Sequence, residues 1–267
     1  MIAGLRWAAA AARERRLAAR VVERNVIGGR RHWLMIGSGA LEPIIYLLAL
    51  RVGIGRLVGP VTGPGGGPID YVVFVAPALL ATSAMNGVLY DVTWNFFYKF
   101  KEAKTFHTML ATPLGVGDVA IGELGWALIR AGIQAAFFVV VMLAFGLIKS
   151  WWGVLALPAA FVTSFGFAGL GLAATTHARS WPDFEKIQLA VVPMFLFSAT
   201  FYPLTRYSPA VRTAIRATPL YNGVALLRAL SLGTVNRSTV GHAIYLAVMG
   251  AAGLAYASRR LGKLLLH

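Results

Sequence analysis

Three ionisable residues sit inside strongly apolar stretches of this sequence: Glu42, Glu123 and Arg130. Charged groups at such depth face protein or water and pair with something. Glu42 is followed by Pro43, which cannot donate a backbone hydrogen bond, so a kink with a polar neighbour is expected there. A structural partner within a helix bundle suits Glu42 better than contact with a substrate. Glu123 and Arg130 are seven residues apart and share nearly one helix face. They can pair with neighbouring helices, or snorkel to an interface, since Gly122 opens their apolar stretch. Thr82, Asn86 and Tyr90 form a row at i, i+4 and i+8. Such a polar stripe lines a pathway or joins helices to one another.

Residues of these types move or hold polar groups within an apolar phase; they do not form a catalytic set. No phosphate-binding loop is present: Gly262-Lys263 is followed by Leu264 and lacks the preceding glycine. His32, His107, His177, His242 and His267 are scattered near the ends of apolar stretches, with no His-x-x-x-His pair, and no metal site is expected. The absence of cysteine removes disulfides, thiolate metal sites and cysteine nucleophiles together. No carboxylate cluster or nucleophile elbow appears.

The elements that must position these residues are membrane helices. The 267 residues are 58% hydrophobic and only 13% charged, too little polar surface for a soluble domain of this length. A crossing needs about 20 apolar residues. Six stretches qualify: 33–50, 71–90, 122–148, 152–176, 187–204 and 240–257. The fold class is therefore all-α and polytopic, a single domain over 1–267. The Gly- and Pro-rich stretch 53–68 reads as a flexible loop outside the membrane, 94–112 as a polar segment, and 177–186 as a short charged turn. Residues 1–32 are basic but lack the apolar core and cleavage site of a signal peptide.

The formal net charge of +15 is carried by residues flanking apolar spans, so anionic lipid headgroups, not nucleic acid, are the expected counter-charge. With both termini in the cytoplasm, 16 basic residues lie inside and eight outside, with Arg130 in a span. Five of the outer eight follow the fifth span, an excess that the strongly basic flank of the first helix overrides. Arginine far outnumbers lysine, and Ala and Gly are abundant, as in a GC-rich bacterial genome.

Between Arg16 and Val26 the pattern is amphipathic. Leu17, Ala18, Val21, Val22 and Val26 oppose Arg16, Arg20, Glu23 and Arg24, which predicts a helix in the cytoplasmic interface, with Gly28-Gly29 as its elbow. Aromatics among lysines at 98–112 predict a short amphipathic helix stopped by Pro113: a surface cap between spans, or a docking element for a partner. Asp118 stands near the positive end of the third span. Ala160, Ser164 and Ala168, with Gly166, Gly169 and Gly171, predict close packing of the fourth. The fifth span never cleanly leaves the apolar phase. It passes into Phe201-Tyr202-Pro203-Leu204, meets Pro209 and Pro219, and turns apolar again through 226–230. Irregular backbone at membrane depth survives only when buried in protein or lining a cavity, so this stretch predicts a pathway or its lid.

Several segments, in this order, resemble the permease subunits of type-2 ABC exporters, most closely the branch with the nodulation lipo-oligosaccharide exporter and daunorubicin-resistance permeases. They are Glu42-Pro43-Ile44-Ile45-Tyr46, Phe74-Val75-Ala76-Pro77-Ala78-Leu79-Leu80-Ala81 leading to Thr93-Trp94, and Thr108-Met109-Leu110-Ala111-Thr112-Pro113-Leu114. Gly117-Asp118, Gly122-Glu123, and Phe201-Tyr202-Pro203-Leu204 with Pro209, Pro219-Leu220, Leu227-Arg228 and Gly233 complete the set. The likeness spans roughly 12–257.

The resemblance implies an elbow helix at 12–31, six spans, a coupling helix within 98–112 and re-entrant helices outside at 201–233. Lys101, Glu102, Lys104, Thr105, His107, Thr108, Met109 and Leu110 would press on a separate ATPase. Tyr46, Asn86 and Phe197 would line the pathway, with Phe201, Tyr202 and Pro203 at its outer gate. Two permeases, identical or paralogous, and two ATPase subunits would form the exporter in the bacterial plasma membrane, carrying an amphipathic drug, lipid or glycoconjugate. ATP and Mg would bind the partner, with no cofactor in this chain and no catalysis of its own. A proton-driven secondary transporter would want central carboxylates and internal repeats; only Glu42 fits and no repeat is evident. An intramembrane lipid-linked glycan enzyme would need a clustered His/Asp/Glu set, which is missing.

Overall fold

The structure, a computed structural model, describes residues 17–29, 41 and 44–265. Glu42, Pro43 and most of the first predicted span lie outside the described residues. Helix α1 covers residues 17–29 and buries Ala18, Val21 and Asn25, while Arg20, Glu23 and Arg24 stay exposed. That is the face the amphipathic pattern selects. It seats on Gly122, where an added Cβ would lie 2.5 Å from the Val21 Cβ. Helix α2 (Ile44–Gly53) is a shorter apolar helix that overlaps the end of the stretch expected as the first span.

The stretch expected as a flexible loop is partly ordered. A helical turn runs on to Val58, and β1 (Val61–Thr62) pairs antiparallel with β2 (Pro68–Ile69), in the register Val61↔Ile69. The tight turn between them uses Gly66 at φ +81, a left-handed conformation that glycine adopts without strain. Asp70 then accepts from the Val72 amide at 3.0 Å and starts α3 (Tyr71–Tyr90).

Helix α3 is buried almost all round from Tyr71 to Met85, as its uniformly apolar sequence requires. It does not stop at Tyr90. Two π-helical turns, Asp91–Asn95 and Tyr98–Glu102, continue it to Glu102. Aromatic packing holds this extension: Trp94 stacks on Trp181 at 5.5 Å, and Phe97 meets Phe184 edge-on at 5.0 Å. The chain breaks at Lys104, whose φ is +48. The helix expected over 98–112 is thus two pieces, the end of the α3 extension and α4 (Thr105–Leu110). Phe106 folds α4 back, with its ring 4.8 Å from Phe96.

Helix α5 (Val116–Ala144) is capped by Asp118, whose Oδ2 accepts from the Gly115 amide at 2.8 Å. A short 3-10 turn at Trp151–Leu155 leads into α6 (Ala156–Thr175). Helix α7 (Asp183–Phe197) follows a tight turn in which the Asp183 carboxylate accepts from Lys186 and from the Arg179 and Ser180 amides. The Lys186 contact first, then the two amides, hold that carboxyl well below the usual carboxylate range. Helix α7 ends at Phe197, not at residue 204 as expected. Ala199 adopts φ +58 and Ser198–Thr200 are buried. Then come α8 (Pro209–Ala217), α9 (Pro219–Leu232), closed by Gly233 at φ +78, and α10 (Arg237–Leu265).

The core gathers α3, α5, α6 and α9, with α10 laid along α6. Glycines set that last contact, because a Cβ on Gly169 would collide with the Gly250 carbonyl. Among the described residues, four helices are long and apolar enough to cross a membrane: Tyr71–Glu102, Val116–Ala144, Trp151–Thr175 and Arg237–Leu264. The chain is an all-α polytopic membrane protein.

Candidate functional site

A cleft of about 1270 Å³ opens between α1, α3, α5 and α7, with Tyr46 of α2 at its edge. Its two walls differ. Thr82, Asn86 and Tyr90 form one polar row on α3, and the extension continues that wall through Asp91, Asn95 and Lys99 at four-residue spacing. Helix α5 adds Glu123, Arg130 and Gln134. Opposite them, α7 presents Ile187, Val191, Val192 and Phe195.

Two ion pairs organise the polar wall, each joining α3's extension to α5. Lys99 Nζ lies 2.6 Å from Glu123 Oε2. Asn25 of α1 closes a triangle, donating from Nδ2 to Glu123 Oε1 at 3.0 Å and accepting from Lys99 Nζ at 3.2 Å. Arg130 Nη1 lies 2.7 Å from Asp91 Oδ1, and Asn95 Nδ2 donates to the same oxygen. Asp91 Oδ2 and Arg130 Nε are buried without a hydrogen-bond partner among the described residues. Glu123 and Arg130 therefore share a face but do not pair with each other. Each meets a residue of α3's extension instead.

Tyr46 and Asn86 line this cleft. Phe197 does not; it lies two residues beyond Phe195 and is 53% exposed. Phe201 is half-buried against Phe195, with rings 5.2 Å apart, Tyr202 is exposed, and Pro203 leads into a 3-10 turn. Glu42 is outside the described residues. At α4's end of the molecule, Lys101, Glu102, Lys104 and Thr108 are exposed, Thr105 and Leu110 are half-buried, and Met109 is buried, with its sulfur 3.6 Å from Arg24 Nη1. His107 lies within α4.

Asp91, Lys99 and Asn25 went unremarked in the sequence as site residues. The row at 82, 86 and 90 would continue at 94 and 98; the π-helical turns after Tyr90 shift the register and bring 91, 95 and 99 to the cleft. A cleft with an ion-paired, hydrogen-bonding wall on one side and a mostly apolar helix face, Gln188 apart, on another can hold a guest that has both kinds of surface.

Comparison with known proteins identifies the family. The chain is 34% identical to nodulation protein J of Rhizobium leguminosarum bv. trifolii over 216 residues, 80% of each protein. Identity to nodulation protein J of R. leguminosarum bv. viciae is 30% over 90% of this chain and 93% of that one. The same figure holds for nodulation protein J of Rhizobium meliloti (strain 1021), over 72% of each chain. Residues 18–232, from α1 through α9, match the model of the ABC-2 type transporter. The chain belongs to the ABC-2 type transporter family, and is a membrane-embedded transport subunit of an ABC exporter, not itself an enzyme.

Proposed function

We propose that this chain is the permease of an ATP-driven exporter that takes an amphipathic cargo (a drug, lipid or glycoconjugate) from the cytoplasm or inner leaflet. The family implies an ATPase partner. Here it is a separate subunit in two copies, binding ATP and Mg, and a second permease completes the pathway in the bacterial plasma membrane. The end carrying α1 and α4 faces the cytoplasm. Six spans cross the membrane, α7 is the fifth, and α8 and α9 re-enter from outside. Phe201, Tyr202 and Pro203 border the outer gate.

The observation that supports this reading best is the connection between α4 and the two-walled cleft. Helix α4 is held to α3's extension by the Phe96–Phe106 contact and to α1 by Arg24 and Met109. The same extension carries Asp91 and Lys99, half of each ion pair in the polar wall. A push on α4 therefore reshapes the wall directly. Closure of the ATPase pair supplies the push, and the permease supplies two conformations with different affinity for cargo.

The exposed Lys104 and Thr108 lie four residues apart and offer the contact face, whereas Met109 faces inward. The double variant Lys104→Glu/Thr108→Glu is expected to assemble normally yet lose cargo-stimulated ATP hydrolysis in the reconstituted transporter. Stimulation at the native level would remove α4 from the coupling role.

A further inference from the structure

Arg228 lies in the middle of α9, buried, and forms no ion pair among the described residues. A buried guanidinium is costly unless its donors are used. Its Nε donates to the Phe74 carbonyl at 3.1 Å and its Nη2 to the Ala199 carbonyl at 2.9 Å, with a longer contact to Thr200 O at 3.5 Å. The guanidinium carbon also stands 3.8 Å from the centre of the Phe74 ring.

These carbonyls belong to two breaks in helical structure. Pro77 within α3 has no N–H to give to the preceding turn, so the Val73 carbonyl loses its helical donor and the ring crowds that turn. Phe74 lies in this turn. Ala199 is the left-handed residue just past the end of α7, where the last carbonyls have no helical partner. One rigid fork of donors thus ties the carbonyl beside the Pro77 break to the one just past the end of α7. A second tie runs alongside, from Ser198 Oγ to Thr218 Oγ1 at the start of α9, at 3.1 Å.

Residues 201–203 follow immediately. We infer that Arg228 is a positioning residue for the outer gate: its guanidinium fastens the break after α7 to α3 and α9, so that the 201–203 turn is tied to those two helices as well as to α7, whose Phe195 packs on Phe201. The inference rests on the reading of 201–203 as the gate.

The chain has no cysteine, so single cysteines report cleanly. Thr200 is fully buried and its hydroxyl has no partner among the described residues, so Thr200→Cys removes no hydrogen bond among them. The complete transporter in lipid nanodiscs is treated with a polar maleimide, and the labelling rate at position 200 is followed. Arg228→Lys keeps the charge and loses the fork. It is expected to raise that rate about tenfold, the factor for losing one charge-assisted hydrogen bond. Ser164→Cys, buried on α6, monitors general loosening and is expected to stay unchanged. Should Arg228→Lys not accumulate, Phe74→Leu, which removes only the ring beneath the guanidinium, is expected to raise labelling at 200 several-fold.

An unchanged rate at 200 in whichever variant is measured, or an equal rise at 164, overturns the inference. The gate reading is checked separately with Tyr202→Cys in the otherwise native chain. Labelling there that is indifferent to ATP turnover removes the gate and, with it, the gate-positioning role, even if the fastening measured at 200 is real.

Discussion

At the scale of single residues, the two ion pairs of the cleft differ in what they leave unsatisfied. Lys99 and Glu123 are completed by Asn25, whereas Asp91 and Arg130 each keep one buried atom without a partner among the described residues. Removing one member of a buried pair strands the other charge, while removing both together is often nearly neutral. Lys99 keeps 21% of its side chain exposed, so solvent softens the penalty. Lys99→Met is expected to cost about 1–3 kcal/mol, and Lys99→Met/Glu123→Leu less than the sum of the single changes. Thermal unfolding in detergent measures both. If the costs simply add, the pair is not coupled. For Asp91→Asn the stability loss is expected to be similar, but cargo stimulation of ATP hydrolysis should fall too, because both members of this pair line the cleft. Stimulation that survives Asp91→Asn would leave the pair purely structural. Glu123 and Arg130 were recognisable in the sequence as residues needing partners. Asp91 was not, since a residue one position past an apparent span end reads as loop.

At the scale of elements, periodic patterns carried over well and irregular ones did not. The amphipathic face of α1 and the small-residue stripe of α6 depend on spacing alone, and both lie where spacing puts them. The continuation of α3 to Glu102 depends on contacts between distant residues, Trp94 with Trp181 and Phe97 with Phe184, which no local pattern reveals. The end of α7 at Phe197 likewise depends on Arg228, about thirty positions away, accepting the duty of an absent helical turn. Close glycine contacts make sharp tests. Gly122→Val places a branched side chain against Val21 and is expected to lift α1 from α5 while the remaining bundle persists. Limited proteolysis then cuts within residues 17–29. A protected α1 in that variant would mean that it is held mainly by the Asn25 triangle.

At the scale of the whole molecule, the six-span proposal and the charge distribution make one joint statement about orientation. A reporter fused at the C-terminus is expected to be active only in the cytoplasm; activity outside the cell would invert the map and exchange the gate and coupling ends. The all-helical membrane character was plain from hydropathy. The number of crossings was less so, because α7 has the composition of a span without its length. At about 1.5 Å per residue its 15 residues reach about 22 Å, against a hydrocarbon layer of about 30 Å. Apart from Phe184, its side chains are not buried. A short, loosely covered helix makes the surrounding lipid adjust, by thinning or by tilting the protein. Bilayer thickness then becomes a control on this protein, with no ligand or modification required: the route across is shortest where the membrane is pinched beside α7. Transport in vesicles of short-chain lipid should outpace transport in long-chain lipid, and lengthening α7 by one helical turn after Val192 should flatten that difference.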